Sequence, residues 1–136
     1  MKKSILLFII MTLVFVLTAC GGTSDWTFEL PNGYELWRIN SNEVIIKYVK
    51  SEVDSEGIPS FVKEFAYDNR YVFSRNIKNI SSNNILEEMY YILDTQERKI
   101  YGPFDSLEEM HKKTDELNVE LPDKWYRTSP DSNLSK

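Results

Sequence analysis

Cysteine and histidine are almost absent from this chain of 136 residues, which contains one of each. A single cysteine cannot form an internal disulfide, so the fold must be stabilised by a packed core. A single histidine, His111, cannot build a zinc or iron site that needs two histidines from one chain. The five glycines are scattered or lie near the start, and none forms a phosphate-binding loop. We therefore expect no cofactor and no metal-binding residue.

Basic residues are also in the minority, and they do not cluster. The chain has 16 Lys and Arg against 21 Asp and Glu, which gives a formal net charge of −5. Nucleic-acid binding relies on Lys and Arg that neutralise phosphates. The charge balance therefore excludes DNA and RNA as expected partners.

Long apolar runs are missing with one exception near the start. Ile5 to Leu17 is apolar apart from Thr12 and follows two lysines. The stretch from Ile5 to Cys20 has 16 residues, whereas a membrane-spanning helix needs about 20 predominantly apolar residues. The layout is typical of a secretory signal peptide, which we predict over residues 1–19.

The end of this segment, Leu17-Thr18-Ala19-Cys20, resembles the lipobox of bacterial lipoproteins. The resemblance implies cleavage before Cys20 and attachment of a diacylglyceryl group, with fatty acids such as palmitate, to its sulfur. Two acyl chains anchor a protein stably, whereas one chain gives only marginal binding. We therefore expect a protein attached through Cys20 to the extracytoplasmic face of the cell membrane. Residues 20–24 would be the lipidated cysteine and a short tether.

The remaining chain is predicted to form a single globular domain over residues 25–128 and a polar tail over 129–136. Alternating apolar residues and turn-forming triplets predict two hairpins, 34–39 with 43–49 and 61–67 with 71–74. Along the second hairpin we expect Phe61, Phe65 and Tyr67 to share a face, with Glu64 on the other. Residues 51–59 are expected to be a polar loop, and residues 77–84 to be irregular. Strands at 89–93 and 100–101 follow, with Gly102 and Pro103 ending the last one.

One helix is predicted from about Ser106 to Leu117. Asp105 or Ser106 can cap its start, and Asn118 can end it in the left-handed conformation. A stripe at helical spacing is expected to face the core; it consists of Leu107, Met110, Thr114 and Leu117. Pairs of Glu108 with Lys112 and Glu109 with Lys113 are expected on the solvent side. The fold class is therefore α+β, a small antiparallel sheet with one C-terminal amphipathic helix packed on a face.

Several segments together resemble a family of small lipoproteins of low-GC Gram-positive bacteria that has no assigned activity. They are Ser24-Asp25-Trp26, Leu30 to Trp37, Phe65 to Asp68, Tyr91 to Asp94 and Tyr101 to Phe104. The resemblance implies a location at the cell envelope and carries over no catalytic residue.

Candidate chemistry is sparse in the rest of the sequence. No serine lies in a nucleophile motif with a base, and the Ser and Lys between Ser132 and Lys136 fall in the predicted tail. The adjacent acids Glu87-Glu88, Glu108-Glu109 and Asp115-Glu116 are expected to form solvated faces. Asp54-Ser55-Glu56-Gly57 lacks the spacing of a calcium loop, and Asn79-Ile80-Ser81 matches a glycosylation triplet that a bacterial lipoprotein would leave unused. We predict no catalytic residue, and Cys20 as the lipid attachment site.

Two classes of function remain open. The first is a non-enzymatic binding or interaction module for an envelope protein or cell-wall component, of which a protective immunity or exclusion lipoprotein is a variant. An exposed aromatic face or a loop would then be the binding surface, although the three Trp, eight Tyr and seven Phe are more simply explained as core. The second is a small envelope hydrolase whose carboxylates meet only in the fold.

Overall fold

In the part of the chain that the structure describes, two antiparallel sheets and one α-helix make up the fold. The computed structural model describes residues 26–40, 43–50, 57–80 and 85–128, and the predicted signal peptide, tether and polar tail lie outside these ranges. The strands are β1 (Thr27–Glu29), β2 (Tyr34–Arg38), β3 (Val44–Tyr48), β4 (Gly57–Ile58), β5 (Val62–Tyr67), β6 (Tyr71–Ile80), β7 (Ile85–Asp94), β8 (Lys99–Phe104) and β9 (Tyr126–Arg127). The helix, α1, spans Leu107–Leu117, and a short 3₁₀ turn covers Pro31–Gly33.

The first sheet has the strand order β1-β2-β3-β4, and the second has the order β8-β7-β6-β5-β9. The α+β class with an antiparallel sheet and a C-terminal helix is thereby confirmed. The two predicted hairpins are present, since Arg38 pairs with Val44 and Tyr67 pairs with Val72. Where one small sheet was expected, the chain forms two.

The sheets pack face to face, because one hydrophobic core draws residues from both. The first sheet contributes Tyr34, Leu36, Val44, Ile46 and Ile58, joined by Leu30 from the segment after β1, and the second contributes Val62, Phe65, Val72, Tyr91 and Leu93. A second core lies on the other face of the second sheet, where Met110 of α1 packs with Phe73 and Ile92. The second sheet is therefore covered on both faces, which explains why its strands are apolar on both sides.

Polar contacts join the two sheets at each end of this sandwich. At one end, Ser60 Oγ donates to Glu43 Oε1 at 2.6 Å, and Asn76 Nδ2 donates to the Ser60 carbonyl at 3.0 Å. At the other end, Asn32 Nδ2 donates to Thr95 Oγ1 at 2.7 Å. Trp26 lies at the first end, since its carbonyl accepts from the Arg38 amide at 3.1 Å. We call the end with Trp26 and Ser60 the amino-terminal end, and the end with Asn32 and Thr95 the far end.

Three expectations about strands are wrong. Gly57 and Ile58 belong to a strand rather than a loop, because Ile58 is buried against the core. A Cβ at Gly57 would lie 1.9 Å from the Ile46 carbonyl oxygen, so this close strand approach requires glycine. Residues 77–80 are also a strand rather than irregular, because each pairs with a partner on β7. Finally, Gly102 and Pro103 do not end their strand, since β8 continues to Phe104 with a register shift and a cis Gly102-Pro103 bond.

The prediction of which side chains share a face of β5 is confirmed for Phe65, Tyr67 and Glu64 and is wrong for Phe61. Phe65 and Tyr67 both contact the core between the sheets. Glu64 points to the opposite face as predicted, where it lines a cavity with Leu107 of the helix. Phe61 does not extend this alternation, because it has a positive φ of 74° and precedes a register shift between Val62 and Glu64. The bulge allows Val62 and Phe65, three residues apart, to enter the same core.

The helix follows its sequence signals closely. Ser106 Oγ accepts from the Glu109 amide at 3.2 Å, and Asn118 ends the helix in the left-handed region with φ 52°. Met110 and Thr114 are buried as predicted, but Leu107 is 43% exposed and does not belong to the core. Lys112 pairs with Glu108 as expected, whereas Lys113 pairs with Glu116 rather than Glu109, because the Glu109 carboxylate accepts from the Asp105 amide.

Candidate functional site

A cavity of about 310 Å³ opens between the second sheet and the start of the helix. Its lining comes from β5, β6, β7, the first turn of α1 and the segment before β9, and consists of Glu64, Arg75, Tyr90, Leu107 and Trp125. We call this cavity the groove. Its volume lies at the lower end of the range typical of small-ligand sites.

Strand register builds the floor of the groove. Glu64 pairs with Arg75, and Arg75 pairs with Tyr90, so the three residues lie side by side across three strands. Directly opposed residues project from the same face of a sheet. Arg127 extends the row on the other side of Glu64. The floor is therefore a line of alternating charges that ends in a tyrosine.

Ion pairs fix this charged row. Arg75 Nη1 lies 3.0 Å from Glu64 Oε2, and Arg75 Nη2 lies 2.6 Å from Glu88 Oε1. Arg127 Nε lies 3.3 Å from the other Glu64 oxygen. Both Glu64 oxygens are thus paired with a guanidinium, which leaves this carboxylate poorly placed to accept a proton from a substrate.

The same contacts shift two acid–base equilibria. Hydrogen bonds from Arg75 and then from Tyr90 lower the pKa of Glu88 below its ordinary value of 4.5. Burial, followed by the hydrogen bond to Glu88, raises the pKa of Tyr90 above 10.0. The Tyr90 hydroxyl donates to Glu88 Oε2 at 3.0 Å. At neutral pH Tyr90 on the floor is therefore a neutral phenol, and Glu88 beside the groove is a charged carboxylate.

Apolar side chains form the walls. Leu107 stands half-exposed on the first helical turn, and Trp125 is half-buried and packs against the core under the helix. An indole and an isobutyl group above a charged floor suit a ligand that offers both apolar and polar groups.

A second cavity of about 440 Å³ lies at the far end. It is lined by Asp68, Asn69, Arg70, Tyr71, Asn118, Val119 and Glu120. Asp68 Oδ1 accepts from the amides of Arg70 at 2.7 Å and Tyr71 at 2.6 Å, which stabilises the turn between β5 and β6. The carboxylates of Asp68 and Glu120 therefore line the same cavity, but that of Asp68 already stabilises a turn.

Residues 31–123 match the family model described as protein of unknown function (DUF3997). The chain belongs to the DUF3997 family. No curated protein and no solved structure matches the chain. The matched range of the DUF3997 domain includes four of the five groove residues and leaves Trp125 and Cys20 outside it.

In this DUF3997 protein, the residues weighed above as candidates for lipidation, catalysis, calcium binding or glycosylation do not line the groove where the structure describes them. Several of them lie outside the described ranges. Cys20, Asp54 to Glu56 and Ser132 to Lys136 lie outside them. His111 is exposed on the helix, and its carbonyl accepts from Thr114 Oγ1 at 2.7 Å. Asn79 lies on β6, and Ser81 lies outside the described residues.

The paired acids are distributed over three places in the DUF3997 fold. Glu87 and Glu88 are on β7, Glu108 and Glu109 are in the first turn of α1, and Asp115 and Glu116 are near its end. None of the six lines either cavity described above. Within residues 26–40, 43–50, 57–80 and 85–128, no cluster of three His, Cys, Asp or Glu side chains is placed to hold a metal ion.

Aromatic side chains pack mainly inward. Phe28, Phe65, Tyr67 and Tyr126 form a set of ring contacts at the edge between β1 and β9, with centroids 5.4 to 6.3 Å apart. Trp26, Trp37 and Trp125 are half-buried. In the described part of the chain, no Trp or Tyr side chain is fully exposed, so the aromatic residues serve chiefly as core. The same part contains no helix long and apolar enough to cross a membrane.

Sequence reasoning missed the groove because its residues are distant along the chain. The placement of Glu64 on the face away from Phe65 was the available signal, but its partner Arg75 depends on strand register across the bulge. Helical spacing alone predicts Leu107 in the core, but the side chain is 43% exposed and lines the groove.

Proposed function

We propose that this DUF3997 protein is a lipoprotein anchored through Cys20 to the extracytoplasmic face of the membrane, and that its domain is a non-enzymatic binding module. The signal layout of residues 1–20 supports the anchor, because a short apolar run after two lysines ends in Leu-Thr-Ala-Cys. The acidic chain offers little attraction to an anionic lipid surface, so the lipid supplies the attachment.

The groove supports the binding role. Its charged floor is already neutralised by the pairs of Arg75 with Glu64 and Glu88, so a highly charged ligand gains little there. Its walls, Leu107 and Trp125, can contact an aliphatic or aromatic side chain. We propose a segment of an envelope protein as the ligand class, with a cell-wall component as the alternative.

Anchoring is tested by fractionating cells that express the wild type and Cys20→Ala, together with the mass of the mature amino terminus. The expected result is membrane retention and a diacylglyceryl mass on Cys20 in the wild type, with both lost in the variant. A wild type that is soluble and carries no lipid would refute the anchor.

Binding is tested by placing a photo-crosslinker in living cells, as Leu107→p-benzoylphenylalanine in the groove and Val49→p-benzoylphenylalanine at the far end. Val49 is a matched control because it is similarly exposed, at 46%. A discrete adduct from position 107 that disappears on adding Trp125→Ala is the expected result. Equal adduct patterns from both positions would refute a specific groove ligand.

Of the two cavities described above, the hydrolase alternative fits the second better, because its lining includes both Asp68 and Glu120. The two amide hydrogen bonds to Asp68 Oδ1 favour a structural role for this acid. Binding therefore remains the proposal, and a protective immunity or exclusion lipoprotein is one form that it can take.

A further inference from the structure

Strands β6 and β7 extend beyond both of their neighbours. On one side, the last contact is the Ile77 amide donating to the Phe61 carbonyl at 3.0 Å. On the other side, β8 ends at Phe104, which pairs with Tyr90. Apart from this hydrogen bond from Ile77, the strand partners of residues 77–80 and 85–88 within the described ranges lie only on each other. We call this extension the ribbon, and its four residue pairs span about 10 Å.

The ribbon projects from the amino-terminal end. Asn76, the residue before it, donates to the Ser60 carbonyl at 3.0 Å, and Ser60 in turn contacts Glu43. Trp26 lies at the same end, since its carbonyl bonds to the Arg38 amide. Strand β6 runs toward this end, and β1 runs away from it, so Trp26 and the ribbon lie at the same end of the domain.

Covalent geometry then limits the distance between the domain and the proposed anchor. Five residues lie between Cys20 and Trp26, so six residue-to-residue steps join them. A fully extended chain spans at most about 3.5 Å per step, or about 20 Å in all. The lipid surface is therefore no more than about 20 Å from Trp26. A ribbon that projects about 10 Å from the same end of the domain can reach this surface.

The chemistry of the ribbon suits a lipid surface. Leu86 is 63% exposed, more than the other exposed large hydrophobic side chains whose burial is described, which are Ile39, Val49 and Leu107. Lys78 pairs in register with Glu87, and Arg75 at the base forms an ion pair with Glu88. The ribbon and its base therefore have no net charge, unlike the acidic chain, and anionic headgroups do not repel them.

We propose that the ribbon contacts the outer surface of the bilayer, with Leu86 in the lipid interface. This inference rests on the proposed anchor at Cys20. One leucine binds a membrane weakly, but the lipid on Cys20 makes the contact intramolecular, so a weak interaction is sufficient. Leu86, Glu88 and Tyr90 lie on one face of β7, so the groove opens on the same face of the sheet as Leu86.

The test uses the mature lipidated protein in vesicles of phosphatidylglycerol and phosphatidylcholine. Leu86→Cys and Val49→Cys are each labelled with an environment-sensitive nitrobenzoxadiazole dye. The lipid occupies the sulfur of Cys20, so the new cysteine is the single reactive thiol. Both native residues are exposed, and circular dichroism verifies that each variant is folded.

The expected result is a blue-shifted emission at position 86 that brominated phospholipid quenches, with neither effect at position 49. The same label at position 86 in a Cys20→Ser background, without lipid, should show a water-exposed spectrum. Equal spectra at positions 86 and 49 in vesicles would overturn the proposal. Shielding of position 86 in the unlipidated protein would also overturn it, because a second copy or another ligand would then cover Leu86.

The two proposals fail in different ways. Loss of the anchor is detected before the vesicle experiment, because an unlipidated wild type takes up dye at Cys20 and shows no diacylglyceryl mass. Failure of the ribbon contact leaves that mass intact and changes only the spectra.

Discussion

Arg70 and Asp94 form a bidentate ion pair at the far end of the sandwich. Arg70 Nη2 lies 2.5 Å from Asp94 Oδ2, and Arg70 Nε donates to both carboxylate oxygens at 3.0 and 3.1 Å. The Asp94 side chain is 2% exposed, whereas that of Arg70 is 40% exposed. Asp94 Oδ1 also accepts from the amides of Gln96 and Glu97, both at 3.1 Å. One carboxylate thus connects the β5–β6 turn to the turn after β7.

Replacing Asp94 with Ala should lower the free energy of unfolding by about 3 kcal/mol, because charged hydrogen bonds are lost and two amides lose their acceptor. Urea unfolding measures this difference. Asp115→Ala, on the exposed side of the helix, is the matched control and should change stability by less than about 0.5 kcal/mol. Equal effects of the two substitutions would contradict the assigned role of Asp94.

The Asp94 pair should also make stability depend on pH. Burial acts to raise the pKa of Asp94, but hydrogen bonds from Arg70 and the Glu97 amide outweigh it and hold the pKa below its ordinary value of 3.8. The stabilisation is therefore present above about pH 3.8 and is lost as the pH falls through the lower pKa of the folded state. Unfolding curves at a series of acidic pH values should show a smaller decline for Asp94→Ala than for the wild type.

Local signals predicted much of this fold. The hairpin triplets and the helix caps at Ser106 and Asn118 depend on neighbours within a few residues, so the sequence displays them directly. The second sheet and the groove depend on pairings such as Glu64 with Arg75, which a bulge shifts by one residue. The turn residues of 77–84 suggested an irregular segment, but continued pairing with β7 overrides that preference for 77–80.

Two residues of the predicted apolar stripe on the helix, Met110 and Leu107, differ in how deeply they are buried, so their substitutions test whether burial or helical spacing predicts the loss of stability. Met110 is 0% exposed and packs in the core beneath the helix, so Met110→Ala should cost about 2 to 5 kcal/mol. Leu107 has the same helical phase but is partly exposed, and Leu107→Ala should cost less than about 1 kcal/mol. Thermal or urea unfolding of the two variants decides the matter. A larger loss for Leu107 would place it in the core rather than at the groove wall.

Asn118 controls the end of the helix. Its φ of 52° lies in the left-handed region, and its amide donates to the Asp115 and Thr114 carbonyls. Asn118→Ala should cost about 1 kcal/mol, because a Cβ-bearing residue without a local polar group is strained there. Asn118→Gly should stay within about 0.5 kcal/mol of the wild type, since glycine adopts this conformation readily. Equal free energies of unfolding for the Asn118→Gly and Asn118→Ala variants would show that Asn118 does not stabilise the helix end through its left-handed backbone conformation.

Arg75 should control the ionisation of Glu88 beside the groove. The guanidinium contacts Glu88 through Nη2 at 2.6 Å and Nε at 3.3 Å. The hydrogen bonds from Arg75 are the largest cause of the lowered pKa of this carboxyl, and that of Tyr90 is the next. Arg75→Met preserves much of the side-chain length and removes the charge. It should therefore raise the pKa of Glu88 toward its ordinary value of 4.5, as measured by NMR titration of the carboxyl carbon. Tyr90→Phe removes only the second donor and should produce a smaller rise. A Glu88 titration unchanged by Arg75→Met would mean that the ion-pair row does not set the charge beside the groove.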